Sequence, residues 1–184
     1  ILPMYEANNT PDEINKANRI VEFWPAGSSA YTAFEDDGKY IKNETKQEDA
    51  YGTIGHVSYG DHVSTTYTSC VEGDTVVIMA EPSVGNYEGF EPERKTTFIV
   101  NLSKKPEEVL ARNGETELHM EEVCDKAAFE AAVPKNGEAV FFYDEAPALM
   151  TYASEKESEM NKLTKDVRTT PKLYIRLSEA DIRK

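Results

Sequence analysis

Short β-rich runs, separated at close intervals by strong turn signals, constrain this chain more than any other feature of its sequence. Arg19–Trp24, Ala30–Phe34, His62–Val71, Thr75–Ala80, Lys95–Leu102, Glu108–Arg112, Glu138–Tyr143 and Lys172–Leu177 are rich in β-branched and aromatic residues and read as strands. Between them lie Pro25–Ser29, Glu35-Asp36-Asp37-Gly38, Glu72-Gly73-Asp74 and Asn113-Gly114. Gly and Asn-Gly or Asp-Gly pairs supply the positive φ that tight hairpins require. Each strand is therefore expected to return on the one before it. Turns recurring roughly every 8–12 residues define an all-β, antiparallel β-sandwich.

Two segments depart from this pattern and predict one or two short helical insertions. Cys124–Ala132 is rich in helix formers. Ser154–Arg168 places Met160, Leu163 and Val167 at helical spacing among charges, and reads either as a short amphipathic helix or as a charged excursion. Ile1–Tyr5 reads as the end of a strand. Because the chain opens on Ile1 inside that strand, it is expected to be a piece of a longer protein.

With 39% hydrophobic residues, the 184-residue chain has material for a real core. Asp and Glu number 34 against 20 Lys and Arg, a net charge of −14, so a phosphate backbone is a poor partner and no nucleic acid is expected. No apolar run approaches the roughly 20 residues that span a bilayer, and Ile1–Tyr5 lacks the basic leader of a signal peptide, so no membrane partner is expected. Cys70 and Cys124 are too few for a disulfide scaffold and read as free, partly buried thiols. Asn8-Asn9-Thr10, Asn43-Glu44-Thr45 and Asn101-Leu102-Ser103 match the glycosylation acceptor pattern.

Two stretches resemble a known family. Trp24-Pro25-Ala26-Gly27-Ser28-Ser29-Ala30-Tyr31-Thr32-Ala33-Phe34-Glu35-Asp36-Asp37-Gly38 is similar to the segment that follows the proximal β-domain of glycoside hydrolase family 31. There an aromatic-Pro-x-Gly turn, a serine, an alternating strand and Glu-Asp-Asp-Gly occur in that order. Gly85-Asn86-Tyr87-Glu88-Gly89-Phe90, Arg94, Phe98–Leu102, Pro106, Val109, Asn113 and Gly114 resemble the distal C-terminal domain of the same family. The resemblance covers residues 1–114, with an echo at Phe142-Tyr143-Asp144 and Lys172–Leu177. It implies that residues 1–18 close a preceding β-domain, and that residues 19–184 form the distal sandwich with insertions near 115–137 and 147–171. It also implies a parent acting on α-glucosidic or α-xylosidic bonds, with the upstream catalytic barrel as partner.

The family's catalytic aspartates lie on that barrel, in motifs this chain lacks, so no catalytic residue carries over. Residue chemistry agrees. Glycoside hydrolysis needs two carboxylates about 5–9.5 Å apart across a bond, whereas Asp36 and Asp37 are neighbours in a predicted turn. His56, His62 and His119 are scattered, without the spacing of a zinc site. No Gly-x-Ser-x-Gly elbow, P-loop or Rossmann fingerprint occurs, and no cofactor is expected. Glu35, Asp36 and Asp37, with Glu48 and Asp49, are calcium-type ligands but read first as solvated turn carboxylates. The aromatic candidates for sugar stacking are Trp24, Tyr31, Tyr40, Tyr51, Tyr59 and Tyr87, with Trp24, Tyr31 and Tyr87 foremost, against a packing role for Trp24 in a corner. Phe23 and Trp24 point to opposite faces of a regular strand, so only one of them enters the core. A carbohydrate-binding module for α-glucan oligosaccharides is the alternative to a purely structural domain.

Overall fold

The computed structural model describes residues 1–5, 18–36, 46–49, 52–55, 60–145 and 170–178. The strands are Leu2–Tyr5 (β1), Arg19–Phe23 (β2), Ser28–Asp36 (β3), Lys46–Asp49 (β4), Gly52–Gly55 (β5), His62–Glu72 (β6), Thr75–Ala80 (β7), Val84–Gly85 (β8), Thr96–Asn101 (β9), Arg112–Asn113 (β10), Thr116–Glu117 (β11), His119–Glu122 (β12), Glu138–Asp144 (β13) and Lys172–Leu177 (β14). Among the described residues one helix, Lys126–Ala131 (α1), stands between them. Six strands form one sheet in the order β1-β2-β9-β14-β13-β12, and β3-β6-β7, with β8 also on β6, form a second. Hairpins β4-β5 and β10-β11 stand apart from both.

The two sheets share one core, which makes the fold a β-sandwich. Val21, Phe23, Phe98, Val100, Tyr143, Leu173 and Ile175 come from the larger sheet and Tyr67 from the smaller. Ala33, Val76, Ile78 and Ala80 of the smaller sheet pack against this cluster. Strand alternation decides which residues enter. Val21 lies opposite Phe98, Phe98 opposite Ile175, and Ile175 opposite Phe141, one row across the inner face. Phe23 and Phe98 meet edge-to-face with ring centroids 5.7 Å apart, and Tyr67 meets Phe98 at 6.5 Å.

Several expectations are corrected. The sandwich is not purely antiparallel, because β2 runs parallel to β9 and β12 parallel to β13. Pro25–Ser29 does not fold β3 back on β2. Pro25 lacks an amide hydrogen and Gly27 sits at φ +70°, and the chain crosses there from one sheet to the other. Glu35 and Asp36 are strand rather than turn, paired with Val63 and His62. Glu108–Ala111 is not strand. Pairing begins only at Arg112, because Gly114 at φ +59° closes a hairpin of two residue pairs. Val109 nevertheless packs on the core.

Leu2–Tyr5, assigned in the sequence to a preceding domain, is hydrogen-bonded along its length to β2 in the larger sheet. The span 115–137, read as an insertion, supplies the edge strand β12 and the helix. The amphipathic pattern at 154–168, and nearly all of the span 147–171, lie outside the described residues, as do Asn8, Tyr40, Asn43, Tyr51, His56 and Tyr59. No helix among the described residues is long and apolar enough to cross a membrane.

The expected helix at 124–132 is present and is built by its flanks. Asp125 caps its start, its carboxylate accepting from Ala128 N–H at 2.8 Å. At the other end Arg176 Nη1 donates to the carbonyls of Phe129 (2.7 Å), Glu130 (2.9 Å) and Ala132 (3.2 Å), where a helix end is short of donors, and Phe129 O also accepts from Ala132 N–H at 3.2 Å. The Arg176 guanidinium lies 4.5 Å from the centroid of the buried Phe129 ring. The helix thereby covers part of the outer face of the larger sheet.

Candidate functional site

The two stretches that carry the family resemblance meet in a buried ionic corner. Glu35, near the end of β3, faces inward because its register partner Val63 does. Arg94 precedes β9 and is 1% exposed. Its Nη2 donates to Glu35 Oε1 at 2.6 Å. Arg19 Nη2, from the start of β2, stands 3.5 Å from Glu35 Oε2. The Phe90 ring lies 5.8 Å from the Arg19 guanidinium and 5.5 Å from that of Arg94, so one ring serves both cations. Tyr87 meets Phe90 edge-on at 5.2 Å.

The loop between β7 and β9 is fixed at two further points. Thr65 and Ser83 share a buried hydroxyl bond of 2.7 Å. Gly85, at φ +103°, lies so close to β6 that a Cβ there would stand 2.1 Å from His62 O. The glycine of the motif is thus required by a close backbone approach.

Glu35 is committed to two arginines and so is not a free calcium ligand. Asp36 is exposed beside it, and Asp37 lies outside the described residues, as do the side chains of Glu48 and Asp49. Among the described residues no three His, Cys, Asp or Glu side chains gather as a metal site.

The sugar-stacking candidates separate. Phe23 is fully buried and Trp24 is 49% exposed, as strand alternation requires. Tyr31 is 44% exposed on β3. Tyr87 is 4% exposed and packed on Phe90, so its ring has no face for a sugar. That correction arises because Tyr87 completes the ionic corner, a contact invisible from local sequence.

The outer face of the larger sheet holds a second polar group that the sequence did not reveal. Glu22 is buried there, pairs with Lys172 Nζ, and accepts from Asn101 Nδ2 at 2.9 Å. Asn101 Nδ2 also donates to Phe23 O at 3.0 Å, so the amide of this glycosylation match is engaged within the fold. Tyr174 stacks on Phe142 at 6.3 Å and lies beside Phe129. Burial, then the Asp144, Glu22 and Glu130 carboxylates, push its hydroxyl above the usual tyrosine range.

A shallow depression of about 340 Å³ is lined by Lys105, Glu122, Val123, Cys124, Phe142 and Tyr143. Its charges are already paired, Lys105 Nζ to Glu122 Oε1 at 2.5 Å. Cys70 and Cys124 are free thiols, and Cys124 is exposed rather than partly buried.

The fold and these sites define an all-β sandwich domain with a buried ionic corner. Compared with the sequence models of known families the chain matches none, and compared with curated proteins it likewise matches none.

Proposed function

We propose that this chain is a non-catalytic C-terminal β-sandwich of a glycoside hydrolase family 31 enzyme, and that it supports the packing or assembly of an upstream catalytic barrel. One observation carries the reading. The two resembling stretches, distant in sequence, supply complementary halves of a single buried group, Glu35 from one and Tyr87, Phe90 and Arg94 from the other. The parent would act on α-glucosidic or α-xylosidic bonds, with its catalytic carboxylates outside this chain.

The test is turnover by the purified chain of fluorogenic α-glucosides and α-xylosides. Rates equal to buffer are expected. Hydrolysis that persists through purification and is abolished by substituting a carboxylate of this chain would overturn the proposal.

The exposure of Trp24 and Tyr31 favours a second reading, a module that binds α-glucan oligosaccharides. Titrating maltooligosaccharides while observing the fluorescence of Trp24, the only tryptophan, decides it. Saturable change supports binding, and a flat response at millimolar sugar rejects it for those ligands.

A further inference from the structure

Among the described residues, strand β3 is paired on one side only. Val71 N–H donates to Gly27 O at 2.9 Å, which makes these two a hydrogen-bonded antiparallel pair. Continued through the register Ser28↔Cys70 to Asp36↔His62, the odd-numbered residues of β3 bond to β6. Glu81 N–H to Thr66 O, on the far side of β6, fixes the same alternation independently. The main-chain N–H and C=O groups of Ser28, Ala30, Thr32 and Phe34 therefore point away from β6. Among the described residues no strand pairs with that edge, since β3 ends the sheet order.

Residues Ser28 to Thr32 are exposed, and Phe34 is 66% exposed. The nine-residue strand contains no Lys, no Pro and no bulge, and its only charges, Glu35 and Asp36, stand together at its last two positions, which leaves Ser28 to Phe34 without a device that protects an edge from pairing.

We infer that this edge pairs with the same edge of a second copy of the chain, antiparallel about a two-fold axis through Thr32. The strand is self-complementary about that residue. Thr32 meets Thr32, Ala30 meets Phe34, and Ser28 meets Asp36, all of them edge-pointing residues, as a ladder requires. Between them Tyr31 meets Ala33 and Ser29 meets Glu35. Each aromatic lies opposite an alanine and each acid opposite a serine, so neither acid faces its own copy. The result is one continuous sheet, β7-β6-β3 joined to β3-β6-β7 of the other copy, with a self-matching interface. A single strand pair is small for an interface, so the association is weak. Both copies carry −14, so it tightens as salt screens their repulsion.

Sedimentation velocity of the full chain over a dilution series tests this. The weight-average mass is expected to climb from one chain toward two with concentration, at lower concentration in higher salt. Thr32→Pro removes an edge N–H while leaving the β6 ladder intact, at the loss of an exposed 3.0 Å hydroxyl contact with Thr66. Ala30→Lys places a charge on the edge with that contact kept. Both variants are expected to remain single chains, Ala30→Lys with an unchanged unfolding midpoint. A wild-type mass of one chain throughout, or variants that associate as tightly as wild type, overturns the inference.

Discussion

Glu35 and Arg94, 59 residues apart in sequence, form a 2.6 Å ion pair between the ends of the two sheets. Neither charge has ready access to water, so the pairing is made at short range inside the fold. Removing one partner takes the nearest counter-charge from a buried ion, which costs more than the pair itself contributes. Arg94→Ala and Glu35→Gln should each destabilise the fold by about 3–5 kcal/mol, read from urea unfolding midpoints.

Arg19 should behave differently. Its three guanidinium nitrogens are buried without a hydrogen bond among the described residues, and its contact with Glu35 is the longer one at 3.5 Å. Arg19→Met keeps the bulk and removes the desolvated charge. Its unfolding midpoint is expected to equal or exceed that of wild type, whereas a loss as large as that of Arg94→Ala would mean the two arginines act as one unit.

Gly85→Ala tests the close approach of the loop to β6. A methyl group 2.1 Å from His62 O cannot be accommodated without moving backbone, and φ +103° is strained for alanine as well. A loss of at least about 1–3 kcal/mol is expected. Gly27→Ala, where a Cβ meets nothing within 4 Å, retains only the φ penalty and should cost less.

Tyr174 contributes to the alkaline limb of stability. Its folded pKa is raised above the unfolded value of about 10, by burial first and by three carboxylates next. Its contribution is therefore complete below pH about 10 and is lost as pH rises through the folded value. Tyr174→Phe should flatten the fall in thermal midpoint above pH about 10. An identical alkaline profile in the variant would place the loss elsewhere.

Asp125 gives an acidic counterpart. Its hydrogen bond from Ala128 N–H, then that with the Cys124 thiol, hold its carboxyl below the usual range. Stability from this cap is present above the unfolded pKa and disappears as pH falls through the folded one. Asp125→Ala should lower the thermal midpoint at neutral pH, with the difference from wild type vanishing in strong acid.

Much of the fold was legible because strands and turns are local. Thr75–Ala80 and Lys172–Leu177 have the bounds their β-branched runs indicate, and Gly73 and Gly114 adopt the positive φ expected of them. Alternation within one strand correctly separated Phe23 from Trp24. Pairing partners were not legible, because period-two alternation is the same whether a strand returns on its neighbour or crosses to another sheet. Hence β3 reads from sequence as the return of β2, and Glu35 as a turn residue, where the structure has neither. The ionic corner escaped for the same reason. Glu35, Arg19, Phe90 and Arg94 become neighbours only when the sheets stack, and Tyr87 reads from sequence like any exposed loop aromatic.

The proposed function makes this sandwich part of a longer family 31 enzyme. The most direct measurement is the sequence of the messenger RNA read upstream from the codon for Ile1. A continuous reading frame encoding a further β-domain and, before it, a barrel carrying the family's catalytic aspartate motifs is expected. An in-frame stop directly before Ile1, or an upstream domain without those motifs, would contradict it.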